Sequence, residues 1–119
     1  MLKRLGTAIF AGVVLTTALV ASPASAAAYT CDTSHVCLWV DINYSGTRQM
    51  ISGYSDYTDL NSSLHDQASS WGSSNHSQVM CVINWVNGYA ENLATLNPGN
   101  RTPWVGSTIN DKADAVRQC

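Results

Sequence analysis

The residues that could perform chemistry are few and widely spaced. The chain has 119 residues with eight Asp and Glu, three histidines and four cysteines. The histidines His35, His65 and His76 match neither the HExxH spacing nor zinc-finger intervals, and no GxSxG elbow is present. The acidic residues are scattered without an evident pair. These patterns predict no catalytic residues, no enzymatic activity and no required cofactor.

The four cysteines indicate covalent cross-links. Cys31, Cys37, Cys81 and Cys119 all follow an N-terminal apolar segment, and an even number in a small exported chain predicts two disulfides. Oxidised cysteines cannot act as thiol nucleophiles. Three pairings are open, of which we favour Cys31–Cys37 and Cys81–Cys119. The second would tie the last residue to a central strand and stabilise the fold by roughly 3–4 kcal/mol.

The N-terminus has the pattern of a secretory signal. Two basic residues precede an apolar run from Ile9 to Val20, and Ala24-Ser25-Ala26 offers the small residues that signal peptidase requires. We expect cleavage after Ala26 or Ala28, so that residues 1–28 form the signal. The alternative is an N-terminal anchor, although the apolar run is short for a membrane span.

The remaining residues, 29–119, have the length of one small domain. They hold four basic residues against eight acidic ones, a formal net charge of −4. Scattered charges with an acidic excess argue against nucleic acid as a partner, and no basic run is available for an anionic membrane. From the predicted signal and the small size, we expect a secreted protein that is a monomer.

The elements that must position these residues are β-strands. Val36 to Val40 predicts a strand and Thr47 to Ile51 its antiparallel return. Trp39 and Tyr44 are placed to cover the sharp bend that joins these two strands, and Gly46 to take a conformation that a side chain would obstruct.

The second half repeats this organisation weakly. Val79 to Val86 predicts a buried strand, Asn87-Gly88 a hairpin turn, and Tyr89 to Leu96 fits either strand or helix. Ser52 to Asp59 and Gly72 to Ser77 are predicted loops. Cys37-Leu38 corresponds to Cys81-Val82 at a separation of 44 residues. Two copies of a four-stranded unit predict an all-β sandwich.

These residues resemble a βγ-crystallin Greek-key domain, whose pattern of two aromatics and a glycine is matched by Trp39, Tyr44 and Gly46. The serine that closes such a unit corresponds to Ser69 or Ser70. The second half departs from the pattern, because it has Trp85 and Gly88 without the aromatic spacing. More narrowly, the chain is similar to the secreted actinobacterial peptidase-inhibitor family typified by the bacterial metalloproteinase inhibitor. The resemblance implies a disulfide-bonded, all-β sandwich of two four-stranded motifs.

The same resemblance implies that the chain inhibits an extracellular protease, with a metalloprotease as the first expectation. It places the inhibitory contact at Cys81, Val82 and Ile83, where Val82 would suit a pocket that prefers apolar side chains. The family closes its reactive loop with a second cysteine five positions on, and this chain has Val86 there. The alternatives are that this segment is a core strand, or that Ser52 to Asp59 or Asn97 to Trp104 is the inhibitory loop.

Calcium binding is a second function that the resemblance implies, because many βγ-crystallin domains hold the ion in paired loops. Here these loops are residues 65–70 and 110–115, with Asp66, Ser69, Asp111 and Asp114 as the candidate ligands. His65 replaces the usual Asn or Asp. The alternative is that these side chains cap turns.

A third class is a killer-toxin-like antifungal or cell-surface-binding module. Exposed aromatics at Tyr54, Tyr57, Trp71 and Trp104 would stack on sugars in such a protein. The competing interpretation is that most aromatics of a chain with one Phe belong to its core.

Overall fold

The computed structural model describes residues 29–119, so the predicted signal, residues 1–28, lies outside the described part. Within that part, no helix is long and apolar enough to cross a membrane. The chain forms eight strands: β1 (His35–Asp41), β2 (Ser45–Ser52), β3 (Tyr57–Asp59), β4 (Ser70–Ser73), β5 (Met80–Val86), β6 (Tyr89–Leu96), β7 (Arg101–Thr102) and β8 (Ala115–Gln118).

The strands form two antiparallel sheets of four. The first has the order β2-β1-β4-β7 and the second β3-β8-β5-β6. The third strand of each half lies in the sheet of the other half, because β3 pairs with β8 and β7 pairs with β4. This confirms the predicted all-β sandwich of two four-stranded motifs.

The core lies between the two sheets. Alternate residues of each strand face it, since successive side chains of a strand point to opposite faces. Val36 and Leu38 of β1, Trp71 of β4, and Val82 and Val116 of the second sheet are all buried. Trp71 is only 2% exposed, so the prediction that it is an exposed sugar-stacking residue is wrong. Its side chain packs in the core cluster together with Val82 and Val116 of the second sheet.

The hairpin of β1 and β2 has the predicted sharp bend. The Trp39 and Tyr44 rings meet edge to face with centroids 5.2 Å apart, and Tyr29 packs on both. Ser70, rather than Ser69, closes the bend: its Oγ donates to the Asp41 carbonyl oxygen at 2.6 Å and accepts from the Tyr44 backbone N–H at 3.1 Å. A serine from β4 therefore fixes the turn between β1 and β2.

Gly46 has a positive φ of 78°, and a Cβ there would lie 2.5 Å from Asp41 Oδ2. We expect Gly46→Ala to lower the free energy of unfolding by about 1–2 kcal/mol from backbone strain alone, with a further cost from Asp41. Gly88→Ala is the matched control, since Gly88 has a φ of 81° and open space around it. Chemical denaturation measures both. Equal losses of unfolding free energy in the two variants would show that the Asp41 side chain moves aside at no energetic cost.

The second hairpin joins β5 and β6 through Asn87 and Gly88, whose φ values of 51° and 81° suit a tight hairpin turn. The ambiguous segment Tyr89–Leu96 is a strand, because it pairs along the length of β5. The predicted loop Ser52 to Asp59 is only partly a loop, since its last three residues form β3. The disulfides are Cys31–Cys37 and Cys81–Cys119, the favoured pairing.

Candidate functional site

The turn of the second hairpin carries a continuous exposed segment, which we call the hairpin tip (residues 85–89). Trp85 is 44% exposed, Val86 41% and Tyr89 79%. The stem below is held on one side by β6 and on the other by β8, and Cys81 at its base is cross-linked to Cys119. Apolar side chains thus project from a short turn on a fixed base.

Hydrogen bonds hold the Trp85 indole against β3, which lies on the far side of β8 in the same sheet. Its Nε1–H donates to the Tyr57 hydroxyl at 3.1 Å, and that hydroxyl donates to Asp59 Oδ1 at 2.5 Å. The hydrogen bond to Asp59, together with desolvation, raises the pKa of Tyr57, and the bond from Trp85 opposes that rise. The indole is therefore oriented although almost half of it is exposed.

The predicted contact residues Cys81, Val82 and Ile83 lie lower in the same hairpin, within β5. They are 7%, 0% and 0% exposed. Their strand has partners on both edges, with Val82 opposite Ala94 of β6 and Val116 of β8. The structure thus makes these residues the buried stem of the hairpin, and their contact with a protease stays a prediction.

The two other segments that could carry an inhibitory loop also show exposed aromatics. Tyr54 is 55% exposed, and its hydroxyl donates to the His76 carbonyl oxygen at 2.6 Å. Trp104 is 47% exposed. Tyr54 shares its segment with Tyr57, which is 43% exposed, and Trp104 is the exposed aromatic of the other segment, whereas the hairpin tip groups three large side chains.

The loops before β4 and β8 cross each other with an approximate twofold relation. Asp66 and Asp111 occupy equivalent positions with φ values of 58° and 61°. The Asp66 N–H donates to the Ala113 carbonyl oxygen at 2.9 Å, and the Asp111 N–H to that of Ala68 at 3.3 Å. The crossing therefore brings the first residue of each loop near the fifth residue of the other. His65 lies near Asp114, and Asn110 lies near Ser69.

On one side of the crossing His65 lies between two carboxylates. Its Nδ1 is 3.1 Å from Asp66 Oδ2, and its Nε2 is 3.1 Å from Asp114 Oδ1. Asp114 is 4% exposed, and its Oδ2 accepts from the Trp85 backbone N–H at 2.7 Å. Burial raises the pKa of the Asp114 carboxyl, the Trp85 N–H lowers it, Asp66 raises it and His65 lowers it.

The predicted calcium ligands are thus divided between the two sides. Asp66 and Asp114 meet, whereas the Ser69 hydroxyl donates to Asn110 Oδ1 at 2.6 Å on the other side, and the Asp111 side chain is exposed. Calcium binding stays a prediction. Sequence reasoning did not include His65 among the ligands, although its place at the first position of the loop pattern was a signal.

Comparison with solved structures agrees with this architecture. A βγ-crystallin domain from Clostridium beijerinckii is 26% identical, with a TM-score of 0.54 over 70% of this chain and 94% of that one. A βγ-crystallin from an archaeon is 18% identical, with a TM-score of 0.56 over 74% and 100% of the two chains. No curated protein matches the sequence significantly.

A comparison with protein families identifies residues 24–91, which include the first hairpin and the hairpin tip, as matching the peptidase inhibitor family I36. Because the family is one of peptidase inhibitors, this match supports the prediction that the protein is not an enzyme and that its partner is a protease. The two disulfides are consistent with secretion. The chain belongs to peptidase inhibitor family I36 and has a βγ-crystallin-like fold.

Proposed function

We propose that the mature protein is a secreted inhibitor of an extracellular metalloprotease and that it binds the enzyme through the hairpin tip. The observation that carries this proposal is the exposure of Trp85, Val86 and Tyr89 on a turn whose base is fixed by a disulfide. Large aromatic side chains supply most of the binding energy of many protein interfaces.

A stiff tip favours tight binding because little conformational entropy is lost when it docks. The turn residues Asn87 and Gly88 are held by the β5–β6 ladder, and the Trp85 indole is oriented by Tyr57. In this proposal Cys81, Val82 and Ile83 contribute as the stem that sets the position of the tip.

The metalloprotease class rests on the resemblance described above and on the apolar character of the tip. A thermolysin-like enzyme prefers an apolar residue after the cleaved bond, and Val86 is the accessible aliphatic residue of the tip. Titration of the purified protein against thermolysin-like, subtilisin-like and papain-like enzymes tests this. Inhibition of the thermolysin-like enzyme is the expected result, and no inhibition of any enzyme at micromolar concentration would overturn the proposal.

The tip itself is tested by Trp85→Ala and Tyr89→Ala. We expect each to raise the inhibition constant about 30-fold, the equivalent of about 2 kcal/mol for a central aromatic contact. Trp104→Ala is the matched control, because Trp104 is 47% exposed and lies outside the hairpin. Inhibition weakened by the control and unchanged by both tip variants would place the contact at the Asn97 to Trp104 segment instead.

The predicted contact at Cys81, Val82 and Ile83 has its own test. A protease that cleaves between Cys81 and Val82 leaves both fragments joined through Cys81–Cys119. Mass spectrometry after incubation would then show the addition of one water, and reduction would release the fragment that begins at Val82. An intact chain during sustained inhibition is the result we expect, because the bond lies in a buried, doubly paired strand.

We also propose that residues 1–28 are removed on export and that residues 29–119 act as a monomer. N-terminal sequencing of the secreted protein and its sedimentation measure these two properties. The killer-toxin-like alternative stays a prediction, and growth inhibition of fungi without inhibition of any protease would favour it.

A further inference from the structure

We propose that one zinc ion, or another first-row divalent ion of similar chemistry, binds at the crossing of the two loops, held by His65, Asp66 and Asp114. This proposal does not rest on the proposed inhibitory function, although Asp114 also accepts a hydrogen bond from the Trp85 backbone N–H at the hairpin tip. The three side chains can each present one ligand atom, and these atoms lie within 4.8 Å of one another.

The approximate twofold relation of the crossing offers two equivalent positions, and only one of them suits an ion. On the Ser69 side, the hydroxyl donates directly to Asn110 Oδ1 at 2.6 Å, so these polar groups satisfy each other. On the Asp114 side, a carboxylate replaces the serine and an imidazole replaces the asparagine. We therefore infer one ion per chain.

Asp114 is the fixed ligand of this site. It is 4% exposed, and its Oδ1 is buried without a hydrogen-bond donor among the described residues. His65 Nε2 is 3.1 Å away, but the approach lacks hydrogen-bond geometry. A buried carboxylate oxygen without a donor is costly, and a cation between Oδ1 and Nε2 would satisfy it.

The local charge also favours a cation. Within residues 29–119, no Lys or Arg nitrogen lies within 4.0 Å of either carboxylate, and His65 is their ion-pair partner. With a neutral imidazole, which is the form that ligates a metal, two negative charges remain for a divalent ion to balance. The side chains of His65 and Asp66 are 45% and 59% exposed, so both can adjust around the ion.

The donor set selects the class of metal. One imidazole nitrogen and two carboxylate oxygens are ligand types that zinc accepts, and water would complete its coordination. Calcium takes six to eight oxygen ligands and gains little from an imidazole. His65, at the first position of the loop, therefore adds a nitrogen ligand to an oxygen site and makes that site better suited to zinc than to calcium.

The test measures metal binding to the mature protein, freed of metal with a chelator, with Zn²⁺ and Ca²⁺ each added alone. We expect Zn²⁺ to raise Tm, to bind at one ion per chain in calorimetry, and to bind at least about tenfold more tightly than Ca²⁺. No rise of Tm with Zn²⁺, or equal affinity for Ca²⁺, would overturn the proposal.

His65→Asn places an amide at the position where the calcium pattern has Asn or Asp. The His65 side chain is 45% exposed, so we expect the variant to fold, and its unfolding curve without metal checks this. We expect this variant to lose Zn²⁺ affinity at least about tenfold. His76→Asn, at an exposed histidine outside the crossing, is the matched control and should bind as the wild type does. Equal Zn²⁺ affinity of the wild type and His65→Asn would overturn the assignment of this ligand.

Substitution by Co²⁺ gives an independent readout, because visible absorption bands report its coordination. In the wild type and in His76→Asn, we expect the absorption bands of Co²⁺ with a low coordination number and with nitrogen and oxygen ligands. We expect these bands to be lost in His65→Asn. Bands that depend on His76 instead would identify a surface histidine as the ligand and overturn the proposal.

Discussion

Replacing Cys81 and Cys119 together by serine is expected to lower the free energy of unfolding by about 4 kcal/mol. The two residues are 38 positions apart, and the entropy that a cross-link removes from the unfolded chain grows with the length of the closed loop. For a domain of this size the loss is a large share of the whole stability. Denaturant unfolding, with wild type and variant compared under the same conditions, measures it.

The matched control is replacement of Cys31 and Cys37 by serine. These residues are 6 positions apart, and the same relation gives about 2 kcal/mol. Equal losses for the two double variants would contradict the loop-length argument and would assign the stabilisation to local packing. We also expect the Cys81 and Cys119 variant to inhibit more weakly than the control, because the stem of the hairpin tip loses its anchor.

Trp39→Ala is expected to lower the free energy of unfolding by about 3–5 kcal/mol, the range for removal of a large buried aromatic side chain. Trp39 is 2% exposed and its ring packs on both Tyr29 and Tyr44. The substitution leaves a cavity beside the bend that Ser70 closes. Thermal and denaturant unfolding measure the loss.

Trp85→Ala serves as the control of the same residue type, since Trp85 is 44% exposed and replacing it leaves no enclosed cavity. We expect Trp39→Ala to lose stability with inhibition retained in the folded fraction, and Trp85→Ala to lose inhibition with most stability retained. A Trp85→Ala variant as unstable as Trp39→Ala would show that the indole is a structural cover for the outer face of its sheet.

The parts of the fold that could be predicted are those with local patterns. Trp39, Tyr44 and Gly46 lie within one hairpin, so their spacing alone indicated the bend. Asn87-Gly88 likewise predicted its turn. Strand β3 was not predicted, because it has only three residues and its partner β8 lies more than fifty residues further along the chain. No local pattern reports such a pairing.

The candidate site, like the fold, could be predicted from the sequence only where local patterns indicate it. The apolar run from Val79 to Val86 predicted a buried strand, which holds for Cys81 to Ile83, but not that Trp85 and Val86 at its end would be exposed. That difference arises because β8 pairs with β5 only from Met80 to Ile83 and leaves the residues beyond it without a second neighbour. His65 and Asp114 meet although they are 49 positions apart in the chain, and no local spacing predicts that contact.

The exchange of third strands between the two halves means that neither half is complete alone. A polypeptide equal to the first half would leave β3 without β8 and the edge of β4 without β7. Two copies of that polypeptide would supply these missing neighbours to each other. A chain with a single four-stranded unit of this kind would therefore complete both sheets by exchanging its third strand with a second copy of itself.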